Sequence, residues 1–267
     1  MNRAGRRRQL REDEKRIARG IDVRRIDRPD IVALLRALDH KVQLSIQRKS
    51  VTPLMEFLYA NVRSAARSID DVTIACRQGC SHCCHSWVDA TPAEVLFAVK
   101  RMGAAQLVRA KESVERMSAR TAGLSFDERA EMVTPCPLLE AGSCSIYESR
   151  PIVCRAAASA DAEICKRVYR GASGEGVPVP MVWRSLGLGY AVALEGAILH
   201  AGLVPIAREW NESLRTALRE SDAEARWLAG EDVFRDAPRA STSGSFENSL
   251  WADVYYEAFG ERPSVTR

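Results

Sequence analysis

Four cysteines stand within nine residues, in the run Cys76-Arg-Gln-Gly-Cys80-Ser-His-Cys83-Cys84-His85. No other stretch constrains the fold as strongly, because thiols packed that densely must be accommodated together. A thiolate is a soft ligand that selects zinc, Cu(I) or iron–sulfur. Spacings of three and four put Cys76, Cys80 and either Cys83 or Cys84 on one side of a compact turn or helix. Gly79 lets the backbone approach a metal closely. Cys83 and Cys84 are neighbours whose side chains diverge, so both reach one cluster only if the backbone bends.

Four more cysteines follow at Cys136, Cys144, Cys154 and Cys165, with gaps of seven, nine and ten residues. Those gaps are too long for one local loop, so tertiary folding must bring the second group to the first. Four ligands close a structural zinc site or one cubane cluster. Eight close two sites, or one site with spare structural thiols. Zinc ribbons present two CxxC knuckles, and here there is one, Cys80-Ser-His-Cys83. The irregular remainder favours an iron–sulfur cluster, 4Fe-4S in type, with zinc as the alternative. His82 and His85 could add nitrogen ligands but read more simply as supporting or surface residues.

This chemistry needs reduced thiols. The first ten residues are basic but have no apolar segment behind them, unlike a secretory signal. The expected compartment is therefore the cytoplasm, where structural disulfides are rare. With 46% apolar residues in 267, the chain can bury a core without staples. Residues 1–30 hold eleven Lys/Arg against six Asp/Glu, while the whole chain is only +4. The basic character thus belongs to an N-terminal arm, expected to be solvated and partly disordered. Nucleic acid is not an expected partner, since Glu12, Asp13 and Glu14 dilute the arm and it offers no aromatic for stacking. A protein partner stays open and unidentified. From Ser185 to Pro205 the only charged residue is Glu195, joined by His200. A carboxylate in mid-span is costly in a membrane, so this run reads as a buried core helix.

Helix signals dominate the rest. Apolar residues at Ile31, Leu34, Leu35, Leu38 and Val42 have helical spacing. Thr52-Pro53 reads as an N-cap followed by proline at the first helical position. Thr91-Pro-Ala-Glu94, Ser125-Phe-Asp-Glu128 and Ser221-Asp-Ala-Glu224 read as capping boxes. Two short apolar runs around Ala141-Gly142-Ser143 predict a small hairpin, and Pro151 can start the turn that carries Cys154. Gly187 and Gly189 are expected just ahead of an apolar helix over 190–203. Fewer than ten strand residues are credible. The expected class is mainly α: an irregular helical domain over 31–234 with a small β-hairpin around a cysteine metal site. A linker over 235–246 and a docking helix and tail over 247–267 complete the chain.

The cysteines come with other residues in a recognisable order. Cys76-x3-Cys80-x2-Cys83-Cys84 is followed by Thr91-Pro-x-Glu94, then Cys136-Pro-Leu-Leu, Ser143-Cys144-Ser-Ile-Tyr-Glu-x-Arg-Pro151 and Cys154-Arg155. This resembles the CxxCxxCC family of zinc- or iron-chelating proteins, the YkgJ-type cysteine-cluster family. The resemblance covers residues 76–155, and its first spacing here is three rather than two. It implies a metal-chelating module and supplies no substrate. Arg155, beside Cys154, is the candidate to face a bound cluster, because a nearby cation offsets thiolate charge.

Three functions compete. One is a metal holder with a structural or redox role. Another is a protein-modifying enzyme similar to the flagellin lysine methylase, which shares the cysteine motif. The last is an adaptor with a structural zinc. Cys76-x3-Cys80-x2-Cys83 also matches the triplet of radical S-adenosylmethionine enzymes, but those resemble βα barrels and this chain is nearly devoid of strands. No catalytic base or Ser–His–Asp grouping is identifiable.

Overall fold

Helical periodicity decides the architecture, and packing decides which helices lengthen. The computed structural model describes residues 3–18, 28–69, 72–132, 134–169, 176–239 and 249–263. Among these residues are twelve α-helices and four strands of two residues each, so the mainly α class read from the sequence holds. Residues 19–27 of the basic arm, 240–246 of the expected linker and the tail 264–267 lie outside the described residues.

The centre is formed by α2 (Arg28–Arg48), α3 (Thr52–Arg67) and α9 (Met181–His200). Leu34, Leu35, Leu38, Leu54, Leu58, Leu194 and Ile198 are at most 2% exposed. Burying each such side chain is worth roughly 1.5–3 kcal/mol. α1 (Arg3–Ala18) and α12 (Ser249–Phe259) flank α2. Ile17 is buried in the core and Glu14 accepts from Lys41 Nζ at 2.9 Å, which seats α1 on α2. On α12, Val254 and Tyr255 are buried.

A second group comprises α4 (Pro92–Lys100), α5 (Ala104–Thr121), α10 (Trp210–Arg219) and α11 (Ala223–Leu228), with α10 packed on both α4 and α5. Three short helices complete the set: α6 (Phe126–Glu131), α7 (Ile152–Ala156) and α8 (Ala162–Val168). Strands β1 (Asp89–Ala90) and β4 (Arg208–Glu209) pair antiparallel, with Asp89 opposite Glu209. β2 (Leu139–Glu140) and β3 (Ser143–Cys144) form the expected hairpin.

Local signals held unevenly. The boxes at Thr91 and Ser125 both form. The one expected at Ser221 does not: Glu224 turns away and accepts from Val51 N at 2.8 Å and from Lys100 Nζ. It thereby satisfies a backbone donor at the start of α3, where Thr52 is the first helical residue rather than the cap. Gly187 and Gly189 lie inside α9 rather than ahead of it. A Cβ on Gly187 would sit 2.1 Å from Cβ of Ala156, so the glycine permits α7 to approach α9. No described helix is long and apolar enough to cross a membrane.

Candidate metal centre

The first cysteine group lies on a loop that regular structure does not shape. Residues 73–77 have no regular secondary structure, and Ala75 N donates to Ser159 O at 2.9 Å. Cys80 N then donates to Arg77 O at 2.9 Å, closing a turn whose third residue, Gly79, has φ 90°. That position in a type II turn favours glycine. A 3-10 turn over His82–His85 carries Cys83 and Cys84 and supplies the backbone bend that the adjacent pair requires.

The second group is placed by three anchors. Cys136 N donates to Cys84 O at 2.6 Å, pinning the start of the hairpin to the 3-10 turn. The hairpin reverses at Ala141 and Gly142, with φ of 48° and 76°, the positive pair of a type I′ turn. This returns the chain to Cys144. Finally, Glu94 Oε1 accepts from Ile152 N at 2.7 Å and holds the start of α7, the helix that bears Cys154. Glu94 is 4% exposed, and its other oxygen accepts from Thr91 N and Thr91 Oγ1, both at 2.9 Å.

The result is one cavity of about 150 Å³ lined by Cys76, Cys80, Cys83, Cys84, Cys136, Cys144 and Cys154. Cys165, on α8, is buried and does not line it, although its thiol is near enough to Cys76 to raise that thiol's pKa. All eight cysteines are free. Neither His82 nor His85 lines the cavity. Arg155 is also off its wall: its guanidinium donates to the carbonyls of Arg150 and Glu148 and lies 4.3 Å from the Tyr59 ring centre. The cations on the wall are Arg77, Arg129 and Arg150.

The sulfur atoms meet two opposing influences. Burial pushes the Cys136 thiol up to about 12 and raises Cys144 and Cys154, and the thiols raise one another by proximity. Cys83 is pushed up by its hydrogen bond with the Cys84 thiol and then by burial. Against this, backbone N–H groups point at sulfur. Ser159 N donates to Cys76 Sγ at 3.2 Å, Leu138 N and the Trp210 side chain to Cys136, and Ile146 N to Cys144. Arg150 lowers Cys83, Cys144 and Cys154. N–H donors and a guanidinium favour the thiolate, and hydrogen bonds to sulfur tune a bound cluster. The donor set therefore fits a thiolate-bound metal. Among the described residues, no group of three or more His, Cys, Asp or Glu side chains is gathered so as to hold one ion as it stands. Seven of the cysteines line the one cavity instead.

The same wall holds residues that sequence spacing did not single out. Arg129 sits in the last turn of α6, and Glu209, Trp210 and Asn211 open α10. The β1–β4 pairing brings the α10 residues in, extended by Trp210 N donating to Val88 O at 2.9 Å. Glu209, Trp210 and Asn211 lie far along the chain from any cysteine, and Arg129, although only seven residues before Cys136, belongs to no cysteine motif, so no local pattern marks them. Burial raises the Glu209 carboxyl to about 7, against the N–H groups of Glu212 and Asn211 that hold it down.

Residues 75–170 match a family model described as CxxCxxCC, "Putative zinc- or iron-chelating domain". The matched span is a little over a third of the chain and contains all eight cysteines. No curated protein and no solved structure matches the chain.

Proposed function

We propose that this protein holds an iron–sulfur cluster, of the four-iron type, in a structural or redox role. The observation that carries this reading is that seven cysteines line one cavity, with N–H donors on Cys76, Cys136 and Cys144. A single zinc ion needs four ligands converging at about 2.3 Å from one centre. A four-iron cluster spreads its metal atoms and takes its thiolates from around a larger space, which suits cysteines that line a cavity. When bound, such a cluster supplies one-electron chemistry at a potential set by charge, hydrogen bonding and exposure. Arg77, Arg129 and Arg150 offset the negative charge of the thiolates. The reading requires reduced thiols, which fits the cytoplasm.

Anaerobic isolation with metal and acid-labile sulfide analysis tests it. The expected protein is brown, absorbs broadly near roughly 400 nm as cluster thiolates do, and contains iron and sulfide in equal amounts. A colourless protein with stoichiometric zinc and no sulfide would replace the cluster by a zinc site.

A further inference from the structure

The acids that dilute the N-terminal arm by count do not dilute it in space. On α1, Glu14 is taken by Lys41 at 2.9 Å, and Glu12 is bound by Arg8 at 3.0 Å. Asp13 is buried and accepts from Gln9 at 3.1 Å, while Arg16 pairs with Asp30. Arg7, Arg11 and Lys15 are left over. All three are exposed, and none has a hydrogen-bond or ion-pair partner among the described residues. They recur at every fourth position, so they form one stripe on the helix, and they line one surface groove together with Arg8. At a rise of 1.5 Å per residue the stripe covers about 12 Å. The buried Ile17 and the Glu14–Lys41 pair seat the opposite side of α1 on α2, so the stripe is displayed outward from a fixed helix.

The composition of this face decides what it fits. Ala4 is the only apolar side chain among the exposed described residues of α1. A protein interface is anchored by a buried apolar or aromatic centre, and a helix lying in a membrane surface needs an apolar face. Neither is available here. A polyanion is held by charge alone. The phosphates of one duplex strand recur about every 3.4 Å along the axis, so a stripe of this length passes three or four of them. Two of the three cations are arginines, whose planar fork matches phosphate oxygens. With no aromatic on the face to stack a base, contact is to the backbone and does not read sequence.

We propose that the outward face of α1 docks on the phosphate backbone of a nucleic-acid duplex, with Arg7, Arg11 and Lys15 as the phosphate contacts. This goes beyond the metal-holding reading and does not depend on it.

The test is fluorescence anisotropy of a fluorescein-labelled DNA duplex of about 20 base pairs, titrated with the full chain at about 50 to 200 mM salt. A DNA duplex of unrelated sequence and an RNA duplex of equal length run beside it. Three phosphate contacts give a slope of log K against log salt of about −2.7, a loss of about fortyfold over that range. The two DNA sequences should bind alike, and the RNA arm shows which kind of duplex the stripe prefers. Arg7→Gln, Arg11→Gln and Lys15→Gln should each flatten the slope by about 0.9. Their melting temperatures should match the wild type, since these side chains hold no bond in the fold. Arg219→Gln removes the same charge from a residue bonded to Glu115, and should leave the slope as it is. Absence of binding to both kinds of duplex at the lowest salt overturns the proposal. So does an Arg219→Gln variant that flattens the slope as much as the α1 variants, because net charge would then account for the binding. Poly-L-glutamate that displaces the duplex as well as unlabelled duplex does, at equal charge, would assign the stripe to an acidic protein instead. Metal content does not enter the readout, so failure of the cluster reading leaves this test standing.

Discussion

Glu94 uses its two oxygens for two different structures. One closes the capping box of α4 on Thr91, and the other takes the N–H of Ile152 at the start of α7. The carboxyl is buried, which raises its pKa, while the donors around it pull the other way. The first role is legible from Thr91-Pro-x-Glu94; the second is not, because Ile152 lies 58 residues on. Glu94→Ala strands the N–H groups of both Thr91 and Ile152, for about 2–4 kcal/mol. Since α7 carries Cys154, iron retention should fall along with the melting temperature, and Glu94→Gln, which keeps one acceptor, should lie between. A melt and iron content equal to wild type in the alanine variant would show that Glu94 does not position the site. Arg155 illustrates the reverse case. Adjacency to Cys154 in sequence suggested a cation facing the cluster; the side chain turns toward Tyr59 and the carbonyls of Arg150 and Glu148, off the cavity wall, while its charge still lowers the Cys144 thiol. Arg150, four residues before Cys154, lines the cavity instead.

At the scale of elements, α12 is held by a titratable contact. His200, in the last turn of α9, stacks on Phe259 of α12 at 3.7 Å between ring centres and bonds Asp39 of α2 through Nδ1 at 2.9 Å. Glu261, just past α12, stands 3.9 Å from Nε2, and Tyr255 meets the imidazole edge-on. The Asp39 hydrogen bond raises the His200 pKa above its ordinary 6.5, against burial. The folded protein therefore holds this proton more tightly than the unfolded chain. The stabilisation is fully present below about pH 6.5 and is lost as pH rises through the raised value. His200→Gln should erase that dependence, so that its deficit in melting temperature is largest in mild acid and shrinks above neutrality. A deficit that stays constant from acid to alkaline pH would mean that stacking alone docks the helix. The density of aromatics predicted that α12 docks; the partner His200 came from a distant helix and left no local sign. The Ser221 box failed for a related reason, because Glu224 gains more by satisfying Val51 N and Lys100 than by capping its own exposed turn.

Across the whole molecule, the candidate metal centre sits at the edge of the main core, sharing Ile146 and Trp210 with it and resting on it through Cys136 and Cys144. The core is centred on α2, α3 and α9, whereas the thiols sit on loops, a 3-10 turn, a hairpin and the one-turn helix α7. Removing the metal with a chelator under reducing conditions should leave the far-ultraviolet helical signal largely in place. Amide exchange in 72–88 and 134–159 should speed up at least about tenfold, equal to about 1.4 kcal/mol of local opening. Global loss of helix on chelation would show instead that the site is the keystone of the fold. The sequence by itself determined the helical class, the hairpin at Ala141-Gly142 and the cysteines as one chemical set, because helical period, turn conformation and thiolate softness are properties of residues a few positions apart. Only the tertiary structure decided that seven thiols share a cavity with Arg129, Glu209 and Asn211, and that Cys165 does not line it. Those placements rest on single contacts between distant segments, such as Cys136 on Cys84, Ile152 on Glu94 and β4 on β1. Such contacts form only once the core has brought the segments together, so no pattern along the chain encodes them.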